Sequence, residues 1–231
     1  MKVIKSLIIT LLLNTSLLSQ FSLEKNDNDE ILIKYKKQPD VFIESQEGSF
    51  KKIDFIEALD ESKPGFPKLP TKLFYIAIPP ESKIQVELLD KYEAKFNNVL
   101  VEANLLVEMN SDSTLNYLKV DFDNSLSEYE NYPVSFVEVS GYTWIRDYYV
   151  AAIIVNPYRY SFSNRTLTIL DSCLIKINFK NVPANFLINS STDSFYDEML
   201  KDVIINFEQA KNFKAFRNDL YSIDSTGNWI D

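Results

Sequence analysis

The chain has 231 residues, of which 45% are apolar and 13% aromatic, so it can bury a substantial hydrophobic core. Its 33 acidic and 24 basic side chains give a net charge of −9, which argues against nucleic acid and anionic lipid as partners. It contains no histidine, which removes the base of every Ser–His or Cys–His mechanism and the commonest zinc ligand.

Residues 1–19 have the pattern of a signal peptide. Lys2 and Lys5 precede an apolar run over residues 6–13, and a cleavage point follows Ser19. The run is much shorter than the roughly 20 apolar residues of a transmembrane helix, so we predict export without a membrane span. Loss of the two lysines leaves 22 basic against 33 acidic side chains in the mature chain, a net charge of −11. A basic protein surface is the natural electrostatic match, although such an excess also serves solubility.

Two oxygen-rich segments, residues 24–30 and 121–124, have some of the composition of a calcium loop. Both lack the turn glycine and the spaced ligands that such a loop needs, so we interpret them as solvated turns. Carboxylate pairs could also serve a glycosidase, but no recognisable site surrounds any of them. We therefore predict a protein that is not an enzyme and that binds no metal and no cofactor.

Residues 20–183 are predicted to form an all-β domain. Short segments rich in Val, Ile, Tyr and Phe are separated by turns with proline or glycine, as at residues 64–70 and 79–82. Apolar and polar residues alternate in several of them, as half-buried strands require. The predicted strands are 31–35, 41–44, 73–78, 84–89, 99–107, 134–139, 148–155 and 167–179. Their spacing predicts an antiparallel β-sandwich, jelly-roll-like in type.

Two of these strands carry further expectations. Residues 148–155 are almost all apolar, which is typical of a strand buried on both faces. Cys173 is the only cysteine, so the chain has no intramolecular disulfide, and it alternates in phase with Ile175 and Ile177. We therefore predict that Cys173 is buried and unreactive.

After Pro183 the apolar period changes. Phe195, Met199, Val203 and Phe207 recur every four residues, which predicts an amphipathic helix within residues 184–217. We expect it to pack on the sandwich rather than to bind a partner. Residues 218–231 have the composition of a linker.

Three segments together resemble the N-terminal propeptide of gingipain-type cysteine peptidases. The first is the Gly-x-Pro-x-Leu-Pro run at residues 65–70, followed by the strand that ends at Pro79. The second leads from Tyr132-Pro133 to a Pro-x-x-Tyr turn at residues 157–160, and the third is Asn-Phe-Glu-Gln-Ala-Lys at residues 206–211. The positions that carry the resemblance are Gly65, Pro67, Leu69, Pro70, Pro79, Pro133, Gly141, Arg146, Pro157, Tyr158 and Asn206.

The resemblance implies a function. In that family the propeptide precedes a caspase-like cysteine peptidase domain, assists its folding and blocks its substrate cleft until it is cut away. It implies here a non-catalytic latency and folding module, exported by a Gram-negative bacterium to the periplasm, outer surface or medium, and monomeric apart from a cognate gingipain-like cysteine peptidase. Members continue into the next domain, so the sequence fits a truncated precursor, with residues 218–231 leading to a missing domain, a free-standing inhibitor, or an interaction module.

The resemblance also implies where inhibition takes place. Such propeptides place a basic residue of an exposed loop in the specificity pocket of an enzyme that cleaves after Arg or Lys. In residues 110–131 the only basic residue is Lys119, which is therefore the candidate. A solvated strand residue is the alternative interpretation of Lys119.

Two other functions stay open at this point. Five aromatic residues could form the platform of a surface carbohydrate-binding jelly roll, although a place in the core is the ordinary role for such side chains. They are Tyr142, Trp144, Tyr148, Tyr149 and Tyr158. An interaction scaffold of the outer-membrane secretion machinery is the other possibility.

Overall fold

The computed structural model describes residues 20–27, 30–39, 42–55, 63–183 and 194–215. The predicted signal peptide and the predicted linker lie outside these ranges. Most of the described chain is β-strand. The strands are β1 (Phe21–Asn26), β2 (Glu30–Lys36), β3 (Phe42–Glu47), β4 (Phe50–Phe55), β5 (Lys72–Ala77), β6 (Lys83–Phe96), β7 (Val99–Val101), β8 (Leu106–Met109), β9 (Leu115–Leu118), β10 (Val137–Ile145), β11 (Tyr148–Val155), β12 (Tyr158–Ser161) and β13 (Thr166–Lys180).

The largest sheet is built around β13. This strand pairs antiparallel with β6 along almost its whole length, and on its other side with β2 and β12. Strand β1 extends the sheet beyond β2. Along β13 buried residues alternate with half-buried ones from Cys173 to Phe179, which is the pattern of a strand with one face in the core.

A second sheet of order β10-β11-β5 packs against the large sheet. Ile31, Ile33, Ile175 and Ile177 of the large sheet share one buried apolar cluster with Ile153 and its neighbours in the second sheet. Two antiparallel sheets packed face to face around a shared core form a sandwich. The predicted all-β, antiparallel fold class is thus confirmed.

Two smaller sheets flank the sandwich. Strands β3, β4 and β7 form one of them, in which β4 and β7 run parallel. It covers a second apolar cluster that includes Val99, Tyr160 and Leu167. The other is a two-stranded hairpin of β8 and β9 that pairs with no further strand of the described chain.

The C-terminal segment differs from the single amphipathic helix that the sequence predicts. It forms two short helices, α1 (Ser194–Leu200) and α2 (Phe207–Ala210), joined by turns. Between them Ile204 pairs in parallel with Tyr75 of β5, and the Ile205 N–H donates to the Tyr75 carbonyl at 3.0 Å. The unpaired edge of β5 therefore takes backbone groups that a continuous helix would have used, because every buried N–H and C=O needs a partner.

This interruption also changes which side chains are buried. Leu200, Ile204 and Phe207 join the main core, whereas Phe195 and Met199 are more than half exposed. The segment thus packs on the sandwich, but only Phe207 of the four residues that recur every four positions is buried. No helix of the described residues has the length and apolar character to span a membrane.

Candidate functional site

The candidate Lys119 follows the β8–β9 hairpin, and the hairpin is held at its base by residues 65–68. Before β8, the Lys68 N–H donates to the Glu102 carbonyl at 2.8 Å, and the Asn104 N–H donates to the Phe66 carbonyl at 2.7 Å. Pro67 bridges Ala103 in the same antiparallel pairing. The chain that leads into the hairpin is therefore paired with residues 65–68, which we call the anchor segment.

Gly65 ties the chain that leaves the hairpin to the same place. The Asp123 N–H donates to the Gly65 carbonyl at 3.0 Å, and the Gly65 N–H donates to the Asn104 carbonyl at 3.1 Å. Gly65 has φ +81°, and a Cβ there would lie 2.9 Å from the Asp121 carbonyl oxygen. Only glycine fits this approach without a shift of the backbone. The anchor segment thus fixes both ends of the hairpin, and Leu69 and Pro70 are buried behind it.

The tip of the hairpin is closed by its own polar network. The Asn110 N–H donates to the Thr114 carbonyl at 2.8 Å, and Asp112 Oδ1 accepts from the Thr114 N–H at 3.0 Å and from Thr114 Oγ1 at 2.6 Å. These hydrogen bonds from Thr114 hold the pKa of the Asp112 carboxyl below its usual range, because they stabilise its charged form. The hairpin is therefore ordered at both ends.

Lys119 lies one residue beyond β9 and is exposed. It forms no ion pair with any described residue. The Lys52 ammonium, 2.7 Å from the Glu102 carboxylate, is the main cause of the lowered pKa of Glu102, and the charge of Lys119 makes a smaller contribution. The chain then turns through a short 3₁₀ helix, Asn124–Glu128, whose first turn is capped by Asp123 and whose Leu126 is buried. Lys119 thus stands on an anchored loop with its ammonium group available to a partner.

Asn206 binds the second sheet from the C-terminal segment. It is fully buried, and its side-chain amide pairs with Ala77 of β5 in both directions. The Ala77 N–H donates to Asn206 Oδ1 at 2.8 Å, and Asn206 Nδ2 donates to the Ala77 carbonyl at 2.8 Å and to Gln209 Oε1 at 2.9 Å. The amide therefore replaces a strand residue at the edge of β5.

One family model covers most of the chain. The C25 peptidase propeptide family (Propeptide_C25) matches residues 22–214. This chain belongs to that family. The resemblance drawn from the three segments is confirmed, and the family consists of propeptide domains rather than catalytic domains.

Two solved structures share the fold of this propeptide. One comes from the complex of the pro- and mature domains of RgpB from Porphyromonas gingivalis, with a TM-score of 0.63, 16% identity, and 82% of this chain and 99% of that chain covered. The other concerns the zymogenic latency of gingipain K from the same organism, with a TM-score of 0.50, 14% identity, and 69% and 92% covered. No curated protein matches the sequence.

The other motif positions of the propeptide hold turns and strand ends. After the loop that carries Lys119, Pro133 accepts a hydrogen bond from Arg159 Nε at 2.9 Å. Pro157 accepts one from the Leu170 N–H at 2.8 Å, and Tyr158 is buried in the second cluster. Pro79 accepts one from the Ser82 N–H at 3.1 Å, which closes the turn before β6. None of these residues contributes a reactive group.

Gly141 and Arg146 lie on and after strand β10. Gly141 follows a register shift between β10 and β11, and a Cβ at this position would touch nothing within 4 Å. Arg146 has φ +53° in the turn between the two strands, and its guanidinium lies 3.6 Å from the centre of the Tyr196 ring. It thus joins this turn to α1 of the C-terminal segment.

The aromatic residues of the carbohydrate-binding alternative do not form an exposed platform. Tyr148 and Tyr158 are buried. Tyr142, Trp144 and Tyr149 are half-buried, and their rings pack on one another at 6.1 Å and 5.2 Å between centres. They are therefore parts of the packed structure, as aromatic side chains of a sheet usually are.

Cys173 lies where the strand pattern predicts. It is buried among the apolar residues of the main core, and burial raises the pKa of its thiol to about 12. A thiol with such a pKa is not a nucleophile at neutral pH. The described residues also contain no group of three His, Cys, Asp or Glu side chains that could hold a metal ion.

The sequence interpretation missed the hairpin itself. It assigned residues 99–107 to one strand, whereas β7 and β8 are separated by the residues that pair with the anchor segment. The alternation of Leu115 and Tyr117 with Asn116 was the available signal for β9. Two residues of this kind on a four-residue strand are a weak signal, and the pairing with β8 decides the assignment.

Proposed function

We propose that this propeptide binds a cognate gingipain-type cysteine peptidase, supports its folding and blocks its substrate cleft, with Lys119 as the residue that enters the specificity pocket. The observation that carries the proposal is the position of Lys119. It is exposed, unpaired within the described chain, and set on a loop that is fixed at its base by the family's own motif. Family membership supports a peptidase partner.

The positive charge of Lys119 also supports its role in the specificity pocket. An enzyme that cleaves after lysine must offer negative charge at the bottom of its pocket, and Lys119 is the single basic side chain in residues 110–131. Removing one partner of a buried charge pair at an interface costs about 2–5 kcal/mol, so the loss of Lys119 should be visible in an inhibition constant.

The test is inhibition of the gingipain-type peptidase encoded nearest to this chain in its genome. Wild-type chain should inhibit it, Lys119→Ala should weaken inhibition by at least 10-fold, and Lys119→Arg should retain part of it. Lys180→Ala is the matched control, since Lys180 is an exposed lysine at the far end of β13. Equal inhibition by wild type and Lys119→Ala would remove Lys119 from the mechanism. No binding of wild type to the peptidase would refute the inhibitory function.

We also infer that the chain is exported and that the mature form begins after Ser19. Support comes from the charged and apolar pattern of residues 1–19, and from membership of a propeptide family. Intact-mass measurement of material from the source cells is the test. A mass that still includes residues 1–19 would contradict the inference.

A further inference from the structure

One face of the β8–β9 hairpin is entirely apolar and exposed. The pairing sets Val107 opposite Tyr117 and Met109 opposite Leu115, and residues directly opposite each other point to the same side of a two-stranded sheet. The exposed fractions of these four side chains are 39% for Val107, 73% for Met109, 54% for Leu115 and 52% for Tyr117. We call this set the apolar face.

The apolar face lies outside the hydrophobic core of the described chain. None of its four residues belongs to either apolar cluster of the core. The hairpin is held by the anchor segment and by the polar network at its tip, so these side chains are not needed to bury a core beneath it. A two-stranded hairpin with a contiguous apolar surface in water is unusual, and such surfaces mark interaction sites.

The surroundings of the apolar face restrict its partner. Residues 106–131 contain six acidic side chains and one basic one, Lys119. A second copy of this chain would bring a second loop of the same net negative charge towards the first, and like charges across an interface are repelled. A partner with an apolar patch and a basic rim is the complementary surface.

We propose that the apolar face binds such a patch on the peptidase domain, beside the cleft that Lys119 enters. This inference rests on the proposed function. Lys119 comes two residues after Tyr117 and one residue beyond the end of β9, so it lies next to the apolar face along the chain. The hairpin then provides a second contact outside the specificity pocket, and it sets the direction from which the loop approaches.

The test uses the full chain and a catalytically inactive form of the peptidase domain, with its nucleophilic cysteine replaced by alanine. The variant is Met109→Ser with Tyr117→Ser, and the dissociation constant is measured by calorimetry. We expect at least a 10-fold weaker Kd, with Tm unchanged because both side chains are more than half exposed. Asn116→Ser, on the opposite face of β9, and Tyr92→Ser, an exposed tyrosine on β6, should bind as wild type does.

A second arm separates the apolar face from the pocket. An active peptidase whose cleft is filled by a covalent lysyl inhibitor should still bind wild type, more weakly, and should not bind the double variant. Should Met109→Ser/Tyr117→Ser lower the Tm, Val107→Thr with Leu115→Asn replaces it.

The outcomes distinguish this inference from the function on which it rests. An unchanged Kd for the double variant, together with a loss for Lys119→Ala, would overturn the inference and leave the proposed function intact. No binding of wild type would overturn both. Sedimentation of the chain alone is the remaining measurement, because a dimer that the double variant dissolves would assign the face to self-association.

Discussion

Replacement of Gly65 by alanine should destabilise the protein more than replacement of either of two other glycines. At φ +81° an alanine is strained by about 1–2 kcal/mol relative to glycine. Its Cβ would also lie 2.9 Å from the Asp121 carbonyl oxygen and 3.2 Å from the Asp123 nitrogen, and both belong to the backbone. The loop must then move and lose the hydrogen bond from Asp123, at a further cost of about 1 kcal/mol.

Gly48→Ala and Gly141→Ala separate the two causes. Gly48, in the turn between β3 and β4, also has a positive φ, but a Cβ there touches nothing within 4 Å. Gly141 has neither constraint. Urea unfolding should therefore rank the losses as Gly65→Ala, then Gly48→Ala, then Gly141→Ala, with about 1 kcal/mol or more between the first two. Only Gly65→Ala should also weaken inhibition of the peptidase, because it moves the loop that carries Lys119. Equal losses for Gly65→Ala and Gly48→Ala would refute the role of this close approach.

Two further predictions concern buried groups. Asn206→Ala leaves the N–H and C=O of Ala77 without partners. It should therefore lower the free energy of unfolding, measured in urea, by about 2–5 kcal/mol. A loss below about 1 kcal/mol would show that water replaces the amide. Cys173 should not react with a thiol reagent in the native state and should react after unfolding, since its pKa is about 12. The pKa of the Cys173 thiol is higher in the folded chain than in the unfolded chain, where it is near 9. The folded state therefore has its full stability below pH 9, and the free energy of unfolding falls as the pH rises towards 12. Between pH 9 and 12 wild type should therefore lose up to about 1.4 kcal/mol per pH unit more than Cys173→Ala, and parallel pH curves would contradict this.

The sequence predicted those parts of the fold that a local pattern determines. Strand β11 has the bounds that its apolar run predicts, and β13 extends the predicted segment by one residue at each end. Four strands were missed, namely β1, β4, β9 and β12. Strand β12 illustrates the reason, because Tyr158 stands in a turn motif and its strand exists only through pairing with β13.

The site was predicted in part. Family motifs identified Gly65 and Asn206, but their roles depend on residues far away in the chain. Gly65 packs closely against the backbone of Asp121 and Asp123. The Asn206 side chain forms hydrogen bonds with Ala77, which lies 129 positions earlier. The helix prediction failed for the same reason, since the four-residue period is a local property whereas the edge of β5 is not. Pairing between distant segments decides such features, and a single sequence does not reveal it.

The contact between Asn206 and β5 also determines when the domain can be completed. During synthesis the edge of β5 has open backbone groups until residues 204–206 emerge, and those residues are close to the end of the domain. Exposed strand edges can pair with other chains, so this edge stays open to such pairing until residues 204–206 are made. A chain shortened before residue 204 should therefore fail by aggregation rather than by simple unfolding. We therefore expect this edge of the second sheet to be completed late, once almost the whole domain is available.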